Sequence, residues 1–286
     1  MAEAVSFLPD LMIEPVVRAA LLEDLGRAGD ITTDALVPAG ITAETAVVAR
    51  QPGIIAGVPV ASLAFRLLAP DMIVEIMRAD GSAVRPGDVV MRIAGPGRAM
   101  LSAERTALNF LCRLSGIATA TSALVEAAAP HKARITCTRK TTPGLRFLEK
   151  AAVRAGGGAN HRFGLDDAVL IKDNHVALAG GVAAAVRRVR EQVGHLVKIE
   201  VEVDTLAQLE EAMTAAPDAV LLDNMPPDIL REAVGIVASR AVTEASGGIT
   251  VETVPAIAAC GVDLISAGWL THSAKALDLG LDIEMR

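Results

Sequence analysis

The chain has 286 residues, 34 acidic against 27 basic, for a net charge of −7. That balance argues against a general nucleic-acid binder, whose footprint is basic, and an aromatic content of 2%, with no Tyr, leaves too little for a base-stacking groove. Although 52% of the residues are hydrophobic, the longest charge-free run is the 15 residues between Arg50 and Arg66, interrupted by Pro52, Gly53, Gly57 and Pro59, and a spanning helix needs about 20 apolar residues.

The length suggests about two domains at roughly 150 residues each. Residues 1–10 carry Glu3 and Asp10 without a basic n-region, so no signal peptide is expected. Residues 14–25 read as a helix ending near Gly26, and Asp30-Ile31-Thr32-Thr33-Asp34 as a turn-rich connection. Strands are expected at 45–50 and 73–77, with a helix at 59–68 between them. Residues 81–90 form a strand–turn–strand signature that continues to Gly95. It resembles lipoyl and biotinyl modules, but no Lys follows to be modified, so it reads as structural. Two helices are expected at 102–114 and 118–128 by their apolar spacing. From residue 133 short apolar runs alternate with helical stretches, giving six strands at 133–138, 168–171, 197–203, 219–222, 241–245 and 262–266. Helices at 206–215, with Thr205 and Gln208 as a capping box, and at 251–260, ending at Gly261, belong to this series. Alternating β and α units imply a parallel sheet with right-handed crossovers. Six units can close as a small barrel; an open doubly wound sheet is the competitor, although no G-x-G-x-x-G follows any strand. Cys112, Cys137 and Cys260 are far apart and form no C-x-x-C, which excludes a zinc ribbon or redox pair and suits a reducing cytoplasm.

The charge is uneven. Between His131 and Arg162 stand Lys132, Arg134, Arg139, Lys140, Arg146, Lys150, Arg154 and Arg162 against Glu149 alone, a window of +7 beside a remainder of −14. The run is broken by Thr142-Pro143-Gly144 and by Gly156-Gly157-Gly158, so it is not one solvated helix face. Converging like charges are tolerable mainly when an anion occupies them.

Sites in parallel α/β folds lie at the carboxyl ends of the strands. Those positions hold, in order, Thr138, Arg139 and Lys140; Lys172, Asp173, Asn174 and His175; Glu202; Asp223 and Asn224; Ser246, Gly247 and Gly248; Ala267 and Gly268. Taken singly, Arg139 and Lys140 can be a surface pair, His161 a loop cap, Glu202 and Asp223 solvated acids and Ser246-Gly247-Gly248 a plain turn. Together they segregate by charge: cations on one side, carboxylates in the middle, small residues with backbone amides last. Such a rim suits a ligand with carboxylates, a hydroxylated sugar and phosphates.

The runs Thr138-Arg139-Lys140-Thr141-Thr142-Pro143-Gly144-Leu145-Arg146, Gly156-Gly157-Gly158-Ala159-Asn160-His161-Arg162 and Leu170-Ile171-Lys172-Asp173-Asn174-His175 resemble the quinolinate phosphoribosyltransferase family. The likeness extends to Gly29-Asp30-Ile31-Thr32-Thr33, Glu104-Arg105-Thr106-Ala107-Leu108-Asn109, Ser246-Gly247-Gly248 and Leu270-Thr271-His272-Ser273. Two departures stand out: Cys137 in place of a common acid, and Ala151 where an aromatic is frequent.

The resemblance implies an α/β fold with an N-terminal α/β sandwich domain (1–115), onto which the tail 272–286 packs back, and a C-terminal six-stranded open α/β barrel (116–271) carrying the active site. It implies transfer of phosphoribosyl from phosphoribosyl pyrophosphate (PRPP) to quinolinate with decarboxylation, yielding nicotinate mononucleotide, pyrophosphate and CO₂ in NAD biosynthesis. By the same likeness Arg105 reaches into a partner's site in a homodimer or hexamer. Thr138, Arg139, Lys140, His161, Arg162 and Lys172 match the pocket for the substrate carboxylates and nearby phosphates. Glu202 and Asp223 match acids near the ribose and Mg²⁺, directly or through water or substrate, and Ser246, Gly247, Gly248, Ala267 and Gly268 match phosphate-binding turns. Lys140, Lys172, Glu202 and Asp223 are the expected catalytic residues. The expected setting is cytoplasmic, with small-molecule substrates and neither nucleic acid nor membrane. Three alternatives remain: a homologue like the molybdenum-transport-associated ModD proteins acting on another anion, a Schiff-base aldolase using Lys172, and an anion-binding protein without turnover.

Overall fold

The structure, a computed structural model, describes residues 8–283. The stretch 1–7, most of the segment in which no signal peptide is expected, lies outside the described residues, as do the last three residues of the tail. The chain divides into two compact units, Met1–Ser122 with Thr142–Gly157 and Thr271–Arg286 in one, Ala123–Thr141 with Gly158–Leu270 in the other. The expected boundary at 115/116 thus compares with a first unit that also takes up the segment after Lys140 and Thr141.

In the first unit the helix Asp10–Leu25 leads to a six-residue helix, Ile31–Leu36. The latter forms where a turn-rich connection was expected, because Asp30 accepts the Thr33 N–H at 2.9 Å and so caps a turn of helix. Strands β1 (Thr42–Ala49), β2 (Gly53–Ile54), β3 (Ile73–Ile76), β4 (Ala83–Val84) and β5 (Val89–Pro96) follow, with the helix Val58–Leu68 between β2 and β3. β1 is flanked by β5 and by the last strand, Leu279–Ile283, both antiparallel, and β3 adds to the far side of β5. β2 and β4 make a separate ribbon. Val47, Met91, Ile93 and Phe65 are fully buried at the centre of this unit.

One continuous helix, Gly97–Ala128, replaces the two expected at 102–114 and 118–128. Residues 115–117, left between the two expected helices, include Gly116, which is there for close approach: a Cβ at that position would collide with the Lys275 carbonyl oxygen. Among the described residues this is the one helix long and apolar enough to cross a membrane, and half of its most apolar stretch is buried, as in a core helix.

The second unit is a six-stranded parallel sheet: β6 (Arg134–Thr136), β7 (Val169–Ile171), β8 (Ile199–Val203), β9 (Ala219–Asp223), β10 (Val242–Ser246) and β11 (Leu264–Ser266). Their order in space, β6-β11-β10-β9-β8-β7, is cyclic with one open seam between the first and second strands. A doubly wound sheet would reverse direction at a switch point, so the order is that of an open barrel. The segment after the triple glycine lies along the seam. Ala159 bridges to Thr136 of β6, and the Arg162 guanidinium donates to the Ala168 carbonyl just before β7 at 2.9 Å. Helices Leu206–Met213 and Val254–Ala258 are shorter than expected, and the former carries the Thr205–Gln208 capping box.

The +7 window is divided between the two units. Arg146, Lys150 and Arg154 fall in the first unit, where Lys150 is fully buried. Glu149, also fully buried, takes a 3.0 Å ion pair from Arg113 and hydrogen bonds from the Thr142 N–H and hydroxyl. Lys132 is neutralised at the surface by Asp263, 2.6 Å away. The second unit itself carries Arg139, Lys140 and Arg162 beyond the strand ends.

Candidate active site in the six-stranded barrel

The strands alternate, so every second side chain enters the barrel. In β8 Ile199, Val201 and Val203 are buried outward while Glu200 and Glu202 face inward. Parallel register then places Glu202, Leu221 and Glu244 on one level and Asp223, Ser246, Ser266 and Thr136 on the next. A barrel interior is ordinarily filled by branched apolar side chains; this one holds four acids.

At the mouth, Lys172 Nζ lies 2.9 Å from Glu202 Oε2. The Lys172 backbone N–H donates to His175 Nδ1 at 2.9 Å, which fixes the start of the helix Asp173–Ala179. Asp223 accepts from the Asn224 amide at 2.6 Å. Burial, then the neighbouring Asp204, raise its carboxyl above the usual range, against the opposing pull of Asn224, Lys172 and Lys140. Asp223 is therefore an acid whose ionised form gains from an additional cation.

Thr138 Oγ1 accepts from the Lys140 backbone N–H at 3.0 Å, which shapes the turn carrying Arg139. Arg139 and Arg162 approach one another: burial first, then the Arg139 charge, lowers the Arg162 pKa from its ordinary value, with Asp167 and Glu200 opposing. Each of the two guanidinium groups keeps a buried Nε–H without a hydrogen-bond partner. Two half-buried arginines with unmet donors have the chemistry to receive planar carboxylates, to which guanidinium forks bind in pairs. Cys137, the departure before Thr138, donates to Asn160 Oδ1 at 3.4 Å and so ties β6 to the segment bearing His161 and Arg162.

On the far side of the mouth Gly247 and Gly248 have φ of +93° and +61°. A Cβ on Gly247 would collide with Asn224 Oδ1, so the turn needs glycine there. The indole of Trp269 donates to the Ile249 carbonyl at 2.8 Å and pins the turn. Buried Ala267, whose N–H donates to the Thr136 carbonyl at 3.0 Å, carries the chain to Gly268 beside it. Turns of this kind present backbone amides to phosphate.

The barrel thus brings together Thr138, Arg139, Lys140, His161, Arg162, Lys172, Glu202, Asp223, Ser246, Gly247, Gly248, Ala267 and Gly268. Arg105 is an exposed residue of the helix Gly97–Ala128 and belongs to the first unit. Sequence reasoning missed Glu200 and Glu244, which lie deeper in the barrel. His161 Nε2 is 2.8 Å from Glu200 Oε2 and 3.9 Å from Glu244 Oε1. The signal was available in the period-two pattern, since Glu200 shares parity with Glu202, and Glu244 with Ser246. Among the described residues these three form the one His/acid cluster tight enough to suggest a metal site, but a 2.8 Å His–Glu contact is a direct hydrogen bond.

Two family descriptions match the chain, "Quinolinate phosphoribosyl transferase, N-terminal domain" over residues 30–115 and "Quinolinate phosphoribosyl transferase, C-terminal domain" over 117–282. The nicotinate-nucleotide pyrophosphorylase [carboxylating] of Mycobacterium leprae is 46% identical over 272 residues, covering 93% of this chain and 95% of the relative. The crystal structure of NadC from Streptococcus pyogenes superposes with a TM-score of 0.94 at 39% identity, covering 98% of this chain and all of that one. The nicotinate-nucleotide pyrophosphorylase of Francisella tularensis gives 0.94 at 37%, over 99% of this chain and all of the other. With both domains matched in order and relatives this similar over nearly their whole length, the chain belongs to the quinolinate phosphoribosyltransferase family.

Proposed function

We propose that this protein transfers phosphoribosyl from PRPP to quinolinate and decarboxylates the product to nicotinate mononucleotide, releasing pyrophosphate and CO₂. The observation that carries the reading is the pair Arg139 and Arg162, half-buried side by side with unmet Nε–H donors. Quinolinate is a pyridine dicarboxylate, so two adjacent guanidinium groups hold the ring by its charges where aromatic residues are scarce.

The pyridine nitrogen attacks the anomeric carbon of PRPP as the bond to pyrophosphate breaks, through an oxocarbenium-like state. Positioning and fixed charge supply most of the acceleration. The N-ribosylated ring then loses its 2-carboxylate as CO₂: the bonding pair stays on C2, stabilised by the adjacent positive ring nitrogen, and a proton from solvent replaces the carboxylate to give nicotinate mononucleotide. Lys140 and Lys172 stabilise charge developing on the departing pyrophosphate and on ring C2, while Glu202 holds Lys172 in place. Ser246, Gly247, Gly248, Ala267 and Gly268 receive phosphate.

Mg²⁺ fits as the companion of PRPP, since Asp223 offers a hard oxygen donor whose raised pKa favours a neighbouring cation. Glu202, already engaged by Lys172, contributes through water or substrate. Bound there, Mg²⁺ would neutralise pyrophosphate charge. A homodimer, or a hexamer, in which Arg105 completes the partner's pocket is supported by exposed Leu11, Leu22, Ile31 and Leu36 on the first unit. A cytoplasmic setting is supported by the three free cysteines.

The test is an assay of purified protein with quinolinate, PRPP and Mg²⁺, following CO₂ and nicotinate mononucleotide. Formation of both in equal amounts, lost when Mg²⁺ is chelated, is the expected result. Binding of quinolinate without turnover would return the protein to the class of anion-binding modules.

A further inference from the structure

The turn after β10 is tied back at three carbonyls. The Asn224 N–H donates to the Ser246 carbonyl at 2.9 Å, the Thr253 hydroxyl to that of Gly248 at 3.2 Å, and the Trp269 indole to that of Ile249 at 2.8 Å. In a planar trans peptide the C=O and the N–H that follows it point opposite ways. Each tie therefore turns one amide, that of Gly247, Ile249 or Thr250, away from the group holding the carbonyl. The Thr250 N–H donates to Thr253 Oγ1 at 2.9 Å, so the peptide joining Ile249 to Thr250 is fixed at both ends. Beside Gly248 there is open space, since a Cβ built there would meet nothing within 4 Å.

Of the three ties, the indole alone comes from the turn after β11. Ser266 pairs with Ser246, the Ala267 N–H is fixed on Thr136, and two residues further on the half-buried Trp269 reaches back across 20 positions to buried Ile249. A hydrogen bond shielded from water is electrostatically stronger than an exposed one. Trp269 is also the only tryptophan of a chain that has no tyrosine.

We propose that Trp269 is a positioning residue for phosphate: its indole N–H clamps turn 246–248 to turn 267–268, so that the two form one preformed cradle. Without the clamp a turn containing two glycines regains backbone freedom, and binding must remove that freedom each time a phosphate enters. The loss falls on PRPP affinity and spares the chemical step. The inference rests on the phosphoribosyl-transfer reading for its kinetic consequence and not for its geometry.

With a single tryptophan, growth on an analogue alters position 269 alone. The full chain is labelled with fluorotryptophan, and its one ¹⁹F resonance is followed during titration with inorganic phosphate. A second preparation carries benzothienylalanine, an isostere with sulfur in place of the indole N–H, and W269F is its genetic counterpart. Phosphate affinity by calorimetry, KM for both substrates, kcat and thermal melts are compared with wild type. Expected are a saturable shift of the resonance and, in both proteins lacking the N–H, a PRPP KM raised about three- to tenfold, as loss of one neutral hydrogen bond gives. Phosphate affinity should fall in step, kcat should change less than about twofold, and the quinolinate KM should hold. A resonance that ignores phosphate, an isostere with the wild-type PRPP KM, or a loss shared equally by both substrates overturns the proposal. Should W269F fail to fold, the isostere decides. The phosphate titrations need no turnover: a shifting resonance and weakened phosphate binding in the isostere of a protein that ignores quinolinate would refute the substrate and sustain the clamp.

Discussion

Replacing Glu244 by Gln should make the protein more stable at alkaline pH while leaving it nearly unchanged in acid. The Glu244 carboxyl is raised from 4.5 to about 7 in the folded protein, chiefly by burial. Between those values the folded state keeps a proton that the unfolded chain has released. Stability is therefore fully present below the unfolded pKa of 4.5, and falls as pH rises to the folded value near 7. The window spans roughly 2.5 units at about 1.36 kcal/mol each, or about 3 kcal/mol. Gln preserves shape and an acceptor for Ser266 but cannot ionise, so E244Q escapes this loss. Urea unfolding of both proteins at pH 5, 6, 7 and 8 should show the variant's advantage growing to about 3 kcal/mol by pH 8, a shift of several degrees in melting temperature. An advantage that stays constant with pH, or that grows toward acid, would refute the reasoning that Glu244 is a buried, proton-holding acid.

Arg139→Ala and Arg162→Ala should each weaken quinolinate binding by ~100-fold or more, since a charge-assisted pair contributes about 3 kcal/mol, while shifting the melting temperature little; calorimetric titration and thermal melts together decide this. Gly247→Ala forces a Cβ onto Asn224 Oδ1 at a φ of +93°, so KM for PRPP should rise at least about tenfold with quinolinate affinity preserved, and equal loss of both would point to general misfolding instead. Mixing Arg105→Ala with Lys172→Ala subunits should restore part of the activity each lacks, and verified mixed oligomers that stay inactive would count against shared sites.

The site was legible in the sequence wherever chemistry and strand position coincide. Lys172, Glu202, Asp223 and the Ser246-Gly247-Gly248 turn each follow an apolar run, so a parallel α/β reading delivers them to one rim. Glu200 and Glu244 escaped because they lie inside the runs, where acids disappear into an apolar average unless parity is counted. The long helix was read as two because apolar spacing lapses around Gly116, whereas the neighbour that requires this glycine, the Lys275 carbonyl, is 159 positions further along. The basic window misled in the opposite way. Composition cannot see that Lys150 is buried or that Lys132 is matched by Asp263. What remains, Arg139, Lys140 and Arg162, is a smaller cluster than the window suggested.

The antiparallel pairing of β1 with Leu279–Ile283 has a consequence for how the chain is made. Thr45 and Asp282, bonded at 2.7 Å, are 237 positions apart in sequence, so during synthesis β1 waits for nearly the whole chain before its second neighbour emerges. Until then one margin of β1 presents open N–H and C=O groups, a template for foreign strands. Contacts of such long range also fold slowly. The barrel strands, which pair mostly with their neighbours in sequence, face no such delay. A nascent chain stalled before residue 279 should therefore hold a formed barrel beside an adhesive half-sheet, and the last strand acts as the seal that ends its exposure to aggregation.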